Sequence, residues 1–428
     1  MADPSGHAPA AGAANGMGAP GSGRDAASPV LSVLAPVGYP WQFNGPRRSR
    51  HRIDNRLFVP VNKLSTRYEG VTMLNPWPPR RFDLLHGFNR IPLTRLPFIL
   101  GFESHLPRAF GMEGSGYWNR LVDRLASPQC RAIVAISERA RRVFLDQHRD
   151  DPRLEALRAK LIVRYPNMPV PAIEDRLAGE QPGERPGEQP ETMRLLFVGS
   201  HFARKGGCVA VRIAEMARER GLPIEVTVIS KLEVGACSWT DPTNQDFYKP
   251  YFELLKAPNV VFHQGLPNAA VLQALQRSHF SLLPTFSDTF GFSAIEAMMN
   301  FAPVLGTRQG ALPEFITDGE NGLLLDLPLD HLDEWVHSSS RERGTAAFER
   351  MFRDEVTRLA EASLARLLPL WEDQPRLHAM RRAARETSTR LFDADAASRF
   401  WDDFYVEALR RPLQVSSAGS AASGWQAA

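Results

Sequence analysis

The stretch PTFSDTFGFSAIEAMM, Pro284 to Met299, leaves an apolar run, crosses a polar turn and enters a helical pattern. Just before and overlapping it, HFSLLPT (279–285) has the length and apolar content of a buried strand, so the unit reads strand, turn, helix. A single carboxylate, Glu296, lies among small and apolar neighbours in that helix, where an arbitrary Glu is ordinarily a solvated face. The same unit recurs on both sides. RLLFVGS (194–200) leads into the amphipathic GCVAVRIAEMARERG (207–221), which closes on a glycine. IEVTVIS (224–230), NVVFHQG (259–265) with a helix from Asn268 to about Arg277, APVLGT (302–307) and NGLLLD (321–326) continue the series. Strands and helices in this alternation predict a parallel sheet covered on both faces.

Upstream the same grammar is shorter. GVTMLNP (70–76), FDLLHGF (82–88), LPFILGFES (96–104), RAIVAISE (131–138) and KLIVRYPN (160–167) read as strands of a second, smaller parallel-sheet domain. Ser137 is placed as the N-cap of a helix opening at Glu138. Residues 174–193 carry GEQP, GERP and GEQP in tandem, a composition that cannot bury apolar surface and reads as a linker. The expected organisation is therefore an Ala/Gly/Pro/Ser tail over 1–40, an N-terminal domain over 41–173, the linker, and a C-terminal domain over 194–392. A helix over 393–412 and a tail over 413–428 follow. The apolar face of that helix (Phe400, Trp401, Phe404, Tyr405, Leu409) needs a surface to cover, and the small first domain is the one short of cover.

Composition bounds the function. At 428 residues two domains are expected, and 43% apolar with 23% charged residues is ordinary for a globular enzyme. A net charge of +3 on 51 basic and 48 acidic groups creates no field that would draw nucleic acid. The cluster RRSRHRIDNR (Arg47–Arg56) reads either as a solvated segment or as a peripheral contact with anionic lipid or phosphate. Three cysteines without metal-ligand spacing imply a reducing setting, expected to be the cytoplasm, and no disulfide framework. No run of about 18 apolar residues occurs, and the N-terminus lacks the apolar core of a secretory signal.

Ligands of open parallel sheets collect outside the carboxyl ends of the strands, which selects three loops. FVGSHFARKGG (197–207) sets Arg204 and Lys205 beside a Gly-Gly helix start, an outline phosphate site that is not a Walker loop. In the opening stretch, Asp288 ends the turn, Gly291 and Ser293 stand at the helix start, and Glu296 follows one turn on. A carboxylate there can accept two hydrogen bonds from a vicinal diol such as a ribose. TRQGALPEF (307–315) offers backbone N–H groups from Gly310 to Leu312, and Glu314 reads as a dipole partner for that helix start or as a ligand contact.

The stretch from FVGSHFARKGG to TFSDTFGFSAIEAMMNFAPVLGTRQGALPEFITDGENGLLL, about residues 194 to 327, resembles the donor half of glycosyltransferase family 4. AISERARR and YPNMP upstream fit the same family. The resemblance implies a GT-B-like α/β fold: two Rossmann-like domains facing a cleft, with the C-terminal helix crossing back to the first. It implies a retaining, metal-independent transferase that takes a nucleotide-diphosphate sugar as co-substrate and needs no further cofactor. The acceptor would be a glycan, a lipid carrier or a protein. Gly199, Arg204, Lys205, Gly291, Phe292, Ser293, Glu296 and Gly310 become the expected donor-binding residues, with Lys205 on the diphosphate and Glu296 on the ribose. Asp288, Glu103 and His105 become the expected catalytic residues, and His86 is a further strand-end candidate. The chain departs from the family pattern at three points. Asp288 stands where a Glu is usual, Ser200 where an Arg is frequent, and Glu103-Ser104 where a His-Asp pair is usual, with His105 next. The rival reading is a non-catalytic nucleotide-sugar binding or scaffold protein on the same fold, with a phosphorylase or epimerase behind it.

Overall fold

The computed structural model describes residues 29–60, 70–73, 81–173 and 191–410. Its first sheet is built from β1 (Ser32–Pro36), β2 (Arg52–Arg56), β5 (Leu84–Phe88), β7 (Phe98–Phe102), β8 (Cys130–Ala135) and β9 (Leu161–Val163). Every pairing is parallel, in the order β2-β1-β5-β7-β8-β9. Around it lie α1 (Tyr39–Asn44), α2 (Gly116–Ala126), α3 (Glu138–Gln147) and α4 (Leu154–Arg158). Three short strands, β3 (Val59–Pro60), β4 (Val71–Met73) and β6 (Ile91–Pro92), form a separate sheet.

The second sheet joins β10 (Met193–Val198), β11 (Ile224–Ile229), β12 (Val260–His263), β13 (Phe280–Leu283), β14 (Val304–Thr307) and β15 (Gly322–Leu325). It is also parallel throughout, in the order β12-β11-β10-β13-β14-β15. Helices α5 (Gly207–Glu219), α6 (Lys249–Leu254), α7 (Asn268–Gln276), α8 (Phe292–Met299), α9 (Ala346–Glu372) and α10 (Gln374–Phe392) cover it. The strand order reverses between β10 and β13, so the loops after these two strands flank the crevice where a ligand of this sheet belongs. Those are the loops carrying Lys205 and Asp288.

The last helix, α11 (Ala394–Arg410), leaves the second domain and packs on the first sheet. Trp401, Phe404 and Tyr405 are buried with Val33, Leu84, Ile99 and Val134, so one sheet face is covered by the chain's far end. Main-chain bonds from Met168 N–H to the Phe392 carbonyl (2.8 Å) and from Ala394 N–H to the Met168 carbonyl (3.1 Å) fix where it crosses. The two domains also share apolar core: Leu34, Phe102 and Phe144 belong to one buried cluster with Ile295, Phe290 and Phe392.

Several sequence expectations are corrected. The tail does not extend to residue 40, because Ser32–Pro36 is an inner strand with its three central residues buried. Its five residues are too short to stand out from the Ala/Gly/Pro-rich composition around them. The segment at 70–76 contributes β4 to the small sheet instead of the main one, and residues 74–76 lie outside the described residues. The basic cluster is not a free solvated segment. Arg47 N–H donates to Ser398 Oγ at 3.1 Å, Arg50 pairs with Asp403 at 2.9 Å, and His51 Nε2 meets the Asp402 carbonyl at 2.8 Å. Much of the cluster clamps α11. Residues 174–190 of the linker, and the tail from 413, lie outside the described residues.

Candidate functional site

Two tight turns build the crevice at the β10/β13 switch point. After β10 the chain turns through Gly206 (φ 93°), where a Cβ would stand 2.3 Å from the Pro284 carbonyl oxygen, so only glycine lets this loop lie against the β13 loop. After β14, Gly310 (φ 66°) plays the same part: a Cβ there would meet the Asp288 carbonyl oxygen at 2.3 Å. These close approaches bring Lys205, Asp288 and Gln309 together.

Lys205 Nζ forms a close ion pair with Asp288, both largely buried. Burial by itself would push the Asp288 carboxyl up. The Lys205 and Arg204 charges and a bond from Phe290 N–H outweigh it, and the net shift is downward. Asp288 is therefore ionised at neutral pH. Its own N–H donates to Gln309 Oε1 at 2.8 Å, while Gln309 Nε2 is buried with no partner among the described residues. Gln309 lies in a loop the sequence marks, yet no pattern there distinguishes it.

Arg204 is placed differently from the expected diphosphate contact. It is 9% exposed, its Nη1 donates to the Ser287 carbonyl at 2.8 Å, and its guanidinium stacks on Trp239 at 5.0 Å. Trp239 Nε1 in turn donates to Ser287 Oγ at 3.2 Å. The pair braces the turn that presents Asp288, so Arg204 acts on the site through that turn and through its charge. Gly199 directly follows β10, its N–H donating to the Ile229 carbonyl at 3.0 Å.

Glu296 is half-buried in the second turn of α8, and among the described residues no group pairs with its carboxylate. Burial alone pushes its carboxyl above the ordinary value of 4.5. Ahead of it, Gly291 is the N-cap of α8 with φ 90° and no side-chain cap, and Ser293 is half-buried at the helix start. Phe292 turns toward the first domain, its ring 4.8 Å from that of Phe43. A helix start without a side-chain cap, a buried cation and an unpaired carboxylate can together receive a phosphate and a diol.

The acceptor-side candidates separate. The Glu103 carboxylate is held by Asn89 Nδ2 at 2.9 Å and by Arg108 Nη1 at 2.6 Å, which makes it a brace of the loop after β7. His105 is half-buried, edge-on to Phe110, beside a cavity of about 910 Å³ lined also by Glu113 and Asp146. Burial lowers its pKa, and the Arg139 and Arg108 charges lower it further. His86 belongs to the core instead: it is 1% exposed, bonded through Nδ1 to Tyr405 Oη at 2.9 Å, with its pKa pushed down to about 3 by burial. Cys130, Cys208 and Cys237 are all free thiols.

The whole fold, two all-parallel six-stranded sheets with a returning last helix, matches solved structures across most of its length. Anabaena HepE in complex with UDP-glucose superposes over 88% of this chain and 100% of that one, with a TM-score of 0.54 at 12% identity. A glycosyltransferase from Rickettsia africae covers 90% and 100%, with a TM-score of 0.53 at 13% identity. The fold is GT-B. Residues 184–342 of this GT-B chain match the family described as Glycosyl transferases group 1. A D-inositol 3-phosphate glycosyltransferase of Paenarthrobacter aurescens is 31% identical over 173 residues, 40% of this chain and 38% of the relative. One of the same name from Arthrobacter sp. is 35% identical over 136 residues, 31% of this chain and 30% of the relative. The chain thus spans about a third of the length of these relatives, 38% of one and 30% of the other. Among the described residues no helix is long and apolar enough to cross a membrane.

Proposed function

We propose that the protein is a retaining glycosyltransferase that moves a sugar from a nucleotide-diphosphate sugar to a hydroxylated acceptor, a glycan or a lipid-linked one, in the cytoplasm and without a resident metal ion. The observation that carries the reading is the conjunction of the buried Lys205–Asp288 pair with the unpaired Glu296 across the β10/β13 switch point. Lys205 would leave Asp288 for the diphosphate, and Asp288, ionised, would turn to the donor sugar's hydroxyls. Glu296 would accept from the ribose diol, a charge-assisted pairing that compensates the cost of its burial. The start of α8, at Gly291, Phe292 and Ser293, would face the phosphates.

In the transfer the bond from the anomeric carbon to the diphosphate oxygen breaks. Its electron pair stays on the diphosphate, which Lys205 and the helix starts stabilise as charge builds. The acceptor oxygen bonds to the anomeric carbon on the face the diphosphate leaves, and its proton passes to the departing diphosphate oxygen. The UDP-glucose bound by HepE supports the class of donor, and the relatives named D-inositol 3-phosphate glycosyltransferase support a hydroxylated acceptor. A nucleotide-sugar panel read by thermal shift tests the reading, since a donor at 100 times its Kd adds about 2.7 kcal/mol. Release of nucleoside diphosphate then separates transfer from mere binding, and NMR of the product anomer reports retention. No shift with any nucleotide-sugar would overturn the proposal.

A further inference from the structure

Glu314 lies in the one-turn helix Leu312–Glu314 of the donor-side loop, yet its carboxylate serves the other domain. Oε2 accepts from Glu138 N–H at 2.8 Å and Oε1 from Arg139 N–H at 2.7 Å. These are the first two amides of α3, which have no acceptor within their own helix. The third, Ala140 N–H, is taken by the Ser137 hydroxyl at 2.9 Å. Two of the three acceptors at the start of an acceptor-domain helix therefore come from the donor domain. Burial raises the Glu314 pKa, and the two amides and the nearby Tyr165 hydroxyl act against that rise.

Neighbouring contacts run in the same direction. Arg139, 1% exposed, donates from Nε to the Leu332 carbonyl at 3.1 Å and pairs closely with Glu334, while Arg142 pairs with Asp333. Gly310 N–H donates to the Asp333 carbonyl at 3.3 Å, and the adjacent Gln309 holds Asp288. A short path of bonds thus joins the Asp288 turn to the start of α3. Arg139 is also one of the two cations whose charge reaches His105.

We propose that Glu314 is a positioning residue that caps α3 across the domain boundary and so aligns the acceptor-side strand ends with the donor loop when the donor binds. The geometry stands by itself; the consequence for transfer rests on the glycosyltransferase reading. Amide hydrogen exchange on the full chain tests it, comparing wild type with Glu314→Ala and with Glu314→Gln, which keeps the shape and one accepting oxygen. Without ligand, Glu138 and Arg139 should exchange about tenfold or more faster in the Ala variant, Gln should be intermediate, and Ala140 should not change. UDP-glucose should slow both amides further in wild type and leave them unaltered in Glu314→Ala, a transmission that a merely stabilising contact would not give. Equal exchange in wild type and Glu314→Ala removes the cap. A ligand effect that is absent in wild type, or the same in both proteins, removes the positioning role. If calorimetry finds no UDP-glucose binding to wild type, the uridine-glucose form of the functional reading fails, while the ligand-free comparison still decides the cap.

Discussion

At the scale of single residues, the site carries one satisfied carboxylate and one that is not. Glu296 is desolvated with no counter-charge, so its folded-state pKa is raised, and the stability it contributes is present at low pH and lost as pH rises through that value. Glu296→Gln should therefore raise the melting temperature of the ligand-free protein at pH 7 while weakening donor binding by about ten- to a hundredfold. In wild type, donor affinity should fall on acidification at a pH above the ordinary carboxyl range. Calorimetric titration between pH 7 and 5, paired with thermal melts, checks both signs; a Gln variant that binds as wild type would return Glu296 to a structural role. Asp288 behaves in the opposite way. Lys205→Ala leaves it buried without its ion-pair partner, with the Arg204 charge still nearby, which should cost about 3 kcal/mol, and adding Asp288→Asn should recover most of that loss. Chemical denaturation of the two single variants and the double variant measures the coupling. Additive losses would show that the pair does not form in solution.

At the scale of elements, α11 is the clearest case of a helix whose partner lies elsewhere. Its aromatic face is buried on the first sheet, and at about 25 cal/mol per Å² this burial contributes several kcal/mol. Tyr405 also satisfies His86, so Tyr405→Phe should leave a buried imidazole nitrogen unpaired and cost about 1–3 kcal/mol without touching donor binding. Ending the chain after Phe392 should be far more severe for the first domain. Nucleotide binding by the second domain should survive, and intact transfer by the truncated protein would contradict the packing.

At the scale of the whole molecule, the domain boundary is apolar as well as ionic. Phe43 meets Phe292, Tyr165 lies 6.0 Å from Phe290, and Arg385 Nη2 donates to the Pro171 carbonyl at 2.7 Å. Domains that share a buried core unfold together, whereas domains joined by a polar contact separate. Scanning calorimetry should accordingly show one cooperative transition, shifted upward by a bound nucleotide-sugar. Two resolved transitions, with only the second sensitive to ligand, would show that the shared core is too weak to couple them.

The sequence by itself determined the strand–turn–helix grammar, the parallel sheets, the loops that carry Lys205 and Asp288 and the helix that carries Glu296. These depend on periodicity and turn chemistry, which act over a few residues. Only the tertiary structure decided where polar groups found partners. Glu314 caps amides 175 positions away, Arg47 meets Ser398 across 351, and His86 loses its charge beneath Tyr405 across 319. A carboxylate, an arginine or a histidine presents the same donors and acceptors wherever it stands. Its desolvation and its counter-group are set by the path of the distant chain, and no local pattern records that path. The two long helices α9 and α10 show the same limit. Their buried residues, among them Phe352, Leu359, Leu367 and Met380, extend the core of the second sheet, and a helix becomes a cover only when there is a face for it to bury.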